Sequence, residues 1–382
     1  MNFPCNRYSC TAPGTPGAGI GGGLPVERFQ WKWLVVSVSF SIVVLALVLS
    51  FTVTDQTFEY LRRLNPVFLL LAIVFHFLAY GFWALRIQKM AASLGHKVEF
   101  SYCLNLVMAN LLAGAITPAQ AGGEPVRIHQ LYRHGVPLGD ATAIVVVERV
   151  LDAIVLGVAG IGAIILLGEM VEEVPRSLTL VITIAWLIMV LFIAAFIFSV
   201  RNPEILKKFL KKVSRPFVKR WDLKRVGRFI ASIDREVDNF HESLSRFIAH
   251  SRRGLVWGTL YTGLFWFSEF IIVSLILIGI GEQPHYLLSL VAQIVIAIVM
   301  MIPLTPGSSG IAELSATSVY SLFVSSSIVG VLVVVWRAIF YYLNIVVGIL
   351  ASIPIIQREM LRRGSPTGDN EPAPADEGHP KV

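Results

Sequence analysis

Long uncharged runs alternate with short polar joints along this chain, and the runs have membrane lengths. Residues 33–53 hold 21 positions without a charge, and a helix needs about 20 residues to cross roughly 30 Å of hydrocarbon. Residues 66–85 end at Arg86 and Lys89, 178–200 are uncharged, and 254–280 carry one acid, Glu269. Residues 141–167 contain Glu148, Arg149 and Asp152, and 324–356 contain Arg337 and Asn344. These six runs are predicted to span a membrane.

Two further runs are shorter and more polar: 102–116 with Asn105 and Asn110, and 287–302 with Gln293. Each ends in a break. Thr117, Pro118, Gly122 and Gly123 lie in the first, and Thr305, Pro306, Gly307 and Gly310 in the second. Proline removes a donor and glycine loosens the backbone, so a helix stops or turns there. Runs of this length make only about 22–24 Å of helix, and both read as re-entrant hairpins. Their non-helical tips are tolerated at membrane depth only where protein or a water-filled cavity satisfies them. The expected fold is an all-α polytopic membrane protein with about six spanning helices and two re-entrant hairpins.

Composition agrees and narrows the class. The chain is 55% hydrophobic and 15% charged, with mean hydropathy +0.69, whereas soluble domains are about 25% charged. This argues against a soluble globular protein, and it excludes disorder for most of the chain. The net charge of +7 becomes a question of sidedness. Residues 201–253 hold fifteen basic and six acidic residues, so this connector is expected in the cytoplasm. Only two re-entrant segments put every basic joint on one side, with Glu169, Glu172 and Glu173 on the other and both termini cytoplasmic. Phe209, Phe217, Trp221, Phe229 and Phe247 punctuate the connector. It reads as amphipathic helices on an anionic leaflet, not as a nucleic-acid surface.

The two breaks are related. Thr117, Pro118, Gly122 and Arg149 map onto Thr305, Pro306, Gly310 and Arg337 with one shift of 188. Phe82-Trp83-x-x-Arg86 maps onto Phe265-Trp266-x-x-Glu269 with a shift of 183. With the expected topology the halves run in opposite directions, and inverted repeats with broken helices are a recurring transporter design. The implied organisation is a disordered head (1–30), a membrane domain (31–356) and a disordered tail (357–382). Repeat one covers 31–168, and repeat two covers 178–356 with the connector at 201–253.

Candidate chemistry follows from charges inside these runs. A charge at the centre of a spanning helix costs roughly 2.5–3.5 kcal/mol, so Glu148, Arg149 and Asp152 need partners or a polar cavity. Glu148 and Asp152 share a helix face at i, i+4, and Arg149 reaches Asp152 at i, i+3. Glu124 and Arg127 after the first break are spaced to pair. Arg337 has Glu313 or Glu269 as prospective partners, and two buried guanidinium forks suit phosphate. Gly122 and Gly123 either cradle an anion with backbone N–H groups or allow close helix packing. Cys5, Cys10 and Cys103 make no disulfide framework. His129 and His134 lie on different faces, so no metal site is expected, and no other cofactor is implied. A phosphate-binding Gly-x-x-x-x-Gly-Lys-Ser/Thr loop is absent, so this chain is not expected to hydrolyse ATP.

These residues carry a family resemblance. The stretch 116–127, the turn Arg133-His134-Gly135-Val136-Pro137, and Glu148-Arg149 with Asp152 resemble the lysylphosphatidylglycerol synthase transmembrane region, a flippase-like family. Thr305 to Glu313 resembles its second motif. Ala119 and Ser308 stand where the family commonly has glycine. The resemblance covers about 31–356 and implies a multi-pass cytoplasmic-membrane protein. In the multiple peptide resistance factor, such a domain moves aminoacylated phosphatidylglycerol and is fused to an aminoacyl-transferase domain. Only 26 residues follow Ile356, so aminoacylation by this chain is not expected.

The expected function is translocation of a phospholipid or lipid-linked precursor, without enzyme activity. The alternative is a membrane glycosyltransferase, or an accessory or scaffold subunit of a lipid- or polyprenyl-linked glycan pathway. Its acidic candidates, Asp55 and Glu59, sit in a 12-residue joint. The expected partners are membrane phospholipids or polyprenyl-linked lipids, with a synthase or a second copy of the chain as a possible protein partner.

Overall fold

A computed structural model describes residues 64–115, 122–170, 223–300 and 310–352 continuously, with isolated positions elsewhere. The predicted head and tail lie outside the described residues, and the predicted spans 33–53 and 178–200 are described only at scattered positions. Nine α-helices fall within the described residues. They are α1 (Pro66–Ser93), α2 (Phe100–Ala115), α3 (Gly123–Arg133), α4 (Leu138–Met170), α5 (Leu223–His250), α6 (Arg252–Ile280), α7 (Tyr286–Met300), α8 (Ile311–Tyr320) and α9 (Ser326–Arg337). After α9 a π-helical turn, Ala338–Tyr342, leads into further α-helix, so that Ser326–Ser352 forms one long rod. Among the described residues three helices, Pro66–Ser93, Arg252–Ile280 and Ser326–Ser352, are long and apolar enough to cross a membrane.

Helix lengths repeat in order. A 28-residue helix (α1) is followed by two short ones of 16 and 11 residues and then a 33-residue helix (α4). From α6 onwards, 29 residues are followed by 15 and 10, and then by the 27-residue rod. The short helices pack in pairs, α2 on α3 and α7 on α8. At 1.5 Å per residue no arm exceeds about 24 Å, so none crosses roughly 30 Å alone.

Antiparallel packing of α1 on α6 joins the halves. The N–H of Asn65 donates to the carbonyl of Gly279 at one end (2.7 Å), and Ser251 Oγ donates to the carbonyl of Ser93 at the other (2.8 Å). Each half has its own apolar core. Ile87, Met90, Leu106, Val107, Ile144 and Val145 belong to the first, and Ile272, Ile276, Val295, Ala316, Leu332 and Trp336 to the second. The outward faces are also apolar. Ile154, Val158, Ile161 and Ile165 form one exposed stripe along α4, with Val158 69% exposed. Val67, Leu70 and Val74 form another on α1. Exposed apolar stripes at helical spacing suit a lipid solvent.

Two expectations change here. Helix α1 continues past residue 85 to Ser93, so Arg86 lies inside it and is 1% exposed, not in a cytoplasmic joint. In the connector, Val237, Leu244 and Phe247 of α5 are buried and α5 packs on α4. Arg246 of α5 and His96 both hold Asp140 in the first turn of α4, at 2.8 and 2.6 Å. The apolar face of this half of α5 is therefore covered by protein, not by a leaflet. Phe209, Phe217, Trp221 and the side chain of Phe229 lie outside the described residues.

Candidate functional site

The first break is built by close approach. Thr117 Oγ1 donates to the carbonyl of Ala113 (2.9 Å) and accepts from the N–H of Gly122 (2.8 Å). A β-carbon on Gly122 would lie 2.5 Å from Thr117, and one on Gly123 would lie 2.1 Å from Asn110 Oδ1. Only glycine fits either position. This favours close packing as their reason, and it starts α3 directly against α2.

Next to this break, α1, α3 and α4 assemble a charged cluster. Glu148 and Asp152 do share a face, and both face Arg86. Its Nε donates to Glu148 Oε1 at 2.8 Å, and its Nη1 donates to Asp152 Oδ1 at 2.7 Å and to Thr262 Oγ1 at 3.0 Å. Arg127 Nη1 donates to Glu148 Oε2 at 2.5 Å, and Glu148 and Arg127 are fully buried. The indoles of Trp83 and Trp266 donate to Glu148 (3.1 Å) and Asp152 (3.2 Å). Arg149 bridges Glu124 at 2.6 Å and Asp152 at 3.5 Å. The expected Glu124–Arg127 pair is not made. Arg127 turns inward to Glu148 and over the Trp83 ring (5.1 Å), leaving Glu124 to Arg149.

Three guanidinium groups thus meet three carboxylates, which removes the net charge that would make burial prohibitive. The match is incomplete at the atomic level. Arg127 Nε and Nη2, Arg149 Nε, Glu124 Oε2 and Asn110 Oδ1 are buried without a hydrogen-bond partner among the described residues. Buried polar atoms are normally satisfied, so this cluster has spare donors and acceptors. The Arg149 side chain is 36% exposed and is the cluster's accessible edge.

The second break repeats the plan in a simpler form. Thr305, Pro306 and Gly307 lie outside the described residues, as does Pro118. Gly310 (φ 84°) and Ser308 (φ 54°) take left-handed conformations, which glycine adopts without strain and serine does not. Glu313 accepts from the N–H of Gly310 at 2.6 Å and from Arg337 Nε at 2.7 Å, and both side chains of this ion pair are buried. The Arg337 guanidinium also lies 4.5 Å from the Tyr341 ring centroid. Each half therefore places a Glu in the first turn after its break and pairs it with an Arg of the following long helix: Glu124 with Arg149, and Glu313 with Arg337. The first pair is partly exposed and the second is sealed.

Glu269 belongs to neither pair. It faces His76 across the α1–α6 seam, with Nδ1 3.1 Å from Oε1 and 3.2 Å from Oε2. Arg86, His76, Trp83 and Asn344 are the main residues that sequence reasoning did not place in a site. The Phe-Trp-x-x echo was the one signal for Arg86.

The family profile described as the lysylphosphatidylglycerol synthase TM region matches residues 34–348. The chain belongs to this family. Among curated proteins it is similar to a UPF0104 membrane protein of Archaeoglobus fulgidus, 33% identical over 83% of this chain and 95% of the relative. A UPF0104 membrane protein of Methanothermobacter thermautotrophicus is 26% identical over 77% of this chain and 87% of its own length. Another, from Pyrococcus horikoshii, is 24% identical over 76% of this chain and 86% of its own length. Membership and the apolar helices together make this a membrane protein, and the matched region contains both breaks and every paired charge described above.

Proposed function

We propose that the chain is a flippase-like protein of the cytoplasmic membrane that moves a phospholipid or a lipid-linked precursor between leaflets, with both termini cytoplasmic. The carrying observation is the pair of matching Glu–Arg bridges, one at each break, with the first accessible and the second sealed. In this reading the two short helical hairpins are re-entrant. Arg149, at the open edge, receives a headgroup phosphate in exchange for the bridges that Glu124 and Asp152 make to its terminal nitrogens. The bridge between Glu313 and Arg337 closes the opposite half, and translocation exchanges the two states. An exchange of this kind needs a ligand that favours one state over the other. The chain supplies no lipid-modifying chemistry and acts as a passage.

The test is the lipid that stays with the protein. Wild type and Arg149→Ala are purified from the same membranes, and bound lipids are identified by mass spectrometry. The expected result is one headgroup class held by wild type and depleted about tenfold in the variant, the size of one lost charged contact of roughly 1.4 kcal/mol. Equal amounts of the same lipids on a folded variant would remove Arg149 from the proposed path.

A further inference from the structure

A second polar cluster lies on the α1–α6 seam, outside the Glu–Arg bridges. His76 Nε2 lies 2.9 Å from Asn344 Oδ1 and 2.6 Å from the Tyr80 hydroxyl, and Tyr80 also donates to Asn344 Oδ1. The Asn344 amide has a fixed orientation, because its Nδ2 donates to the carbonyl of Phe340 at 2.7 Å. Its Oδ1 therefore faces His76, and with the Tyr80 proton given to that oxygen, Nε2 faces two acceptors and carries a proton. The other ring nitrogen, Nδ1, faces both oxygens of Glu269. A neutral ring with its one proton on Nε2 would set a lone pair against a carboxylate. The contacts are satisfied only by one more proton. It sits on Nδ1, giving imidazolium and carboxylate, or on Glu269, giving a carboxylic acid that donates to Nδ1.

We propose that His76 and Glu269 form a proton-binding site within the membrane domain, holding one exchangeable proton whose loss releases Asn344. With the proton bound, the pair has no net charge in either arrangement. Without it, the pair carries one negative charge in a buried place. The ring's remaining proton then goes to the charged partner, since hydrogen bonds to charged groups are the stronger ones. Nε2 is left as an acceptor facing Asn344 Oδ1, and the single Tyr80 hydroxyl proton serves only one of them.

The consequence runs along one helix. Asn344 follows the π turn Ala338–Tyr342, and Arg337 immediately precedes it. A π turn accommodates one extra residue and is frequent at functional sites. Relaxing it to α would rotate Asn344 by about 100° relative to Arg337. The proton site thereby bears on the Glu313–Arg337 bridge. The groups facing His76 are Tyr80 from its own helix, Glu269 from α6, and Asn344 with the Phe340 ring (5.0 Å) from the rod after α9. Glu148 and Asp152 of α4 are engaged by Arg86 and the two indoles.

The test uses the full chain in lipid nanodiscs with 15N-labelled histidine, the His76 signals being assigned by their loss in His76→Gln. The expected wild-type ring at neutral pH carries a proton on Nε2, and raising the pH converts it in one step to the Nδ1–H form. In Glu269→Gln the ring stays in the Nε2–H form with no such step. Across the wild-type step, hydrogen exchange in 338–352, corrected for intrinsic rates, rises about tenfold, and in Glu269→Gln it does not. An Nδ1–H ring at neutral pH, a step that persists in Glu269→Gln, or unchanged exchange overturns the proposal. Should Glu269→Gln fail to fold, Asn344→Leu decides. Removing that acceptor is expected to give the Nδ1–H form at neutral pH, and an unchanged Nε2–H ring overturns the proposal. No transported lipid enters this experiment, so its outcome is separate from the proposed function.

Discussion

Replacing Arg86 by Met removes one cation from a place where two carboxylates depend on it. Arg86 donates to Glu148 at 2.8 Å and to Asp152 at 2.7 Å, and its side chain is 1% exposed. Glu148 retains Arg127, whereas among the described residues Asp152 retains the 3.5 Å contact with Arg149 and the Trp266 indole. Breaking a buried pair from one side costs about 3–5 kcal/mol, because a charge is left behind. At about 2 °C per kcal/mol, the lower end of the range for large domains, the midpoint of thermal unfolding should fall by about 6–10 °C. Arg149→Met loses a bridge with a 36% exposed arginine, for which less than about 1 kcal/mol is expected, or less than about 2 °C. The assay is unfolding in one detergent, followed by tryptophan fluorescence. Adding Asp152→Leu to Arg86→Met should recover about 1–3 kcal/mol relative to the sum of the single changes. Equal losses for Arg86→Met and Arg149→Met, or additive losses in the double variant, would refute the assignment of Arg86 as the centre of the cluster.

Gly123→Ala should destabilise by about 1–3 kcal/mol through overpacking, since its β-carbon would sit 2.1 Å from Asn110. Asn110→Ala in the same chain should restore much of that loss in the same melting assay. At the start of α4, burial works to raise the Asp140 pKa, but hydrogen bonds from Ser243 and His96 and the Arg246 charge outweigh it and hold the carboxyl below its usual value. A depressed folded-state pKa contributes stability that is fully present above the unfolded value of about 3.9 and is lost as pH falls through the folded value. Wild type should therefore be more stable than Asp140→Asn at neutral pH, with the difference vanishing in acid below roughly pH 4. A difference that grows on acidification would contradict this. Ser308→Gly should relieve a left-handed serine (φ 54°) and raise the midpoint slightly, by the equivalent of less than about 1 kcal/mol.

Much of the site was legible because it rests on local spacing and on a repeat. Glu148 and Asp152 at i, i+4 do face one partner, and the shift of 188 leads from Arg149 to Arg337 and their bridges. What was not legible depends on neighbours that spacing cannot see. Sequence spacing puts Arg86 at the end of a span, yet two carboxylates of α4 and the Thr262 hydroxyl of α6 make its burial tolerable. Glu124 and Arg127 satisfy the pairing rule for a helix surface, but Arg127 finds a buried carboxylate on α4 and leaves Glu124 to Arg149. The amphipathic pattern of α5 predicts an apolar face without saying whether lipid or protein covers it. His76 and Asn344 gave no sequence signal together, because 268 positions separate them and a π turn sets the register of one of them.

Transbilayer movement of lipid is the direct measure of the proposed activity. The full chain is reconstituted into vesicles carrying labelled lipids of different headgroup classes, and the fraction reaching the opposite leaflet is followed for wild type, Glu124→Gln and Glu313→Gln. Protein-dependent movement of at least one class is expected, reduced about tenfold or more by either substitution in folded protein. A folded wild type that moves no class of lipid, or movement indifferent to both bridges, would contradict it.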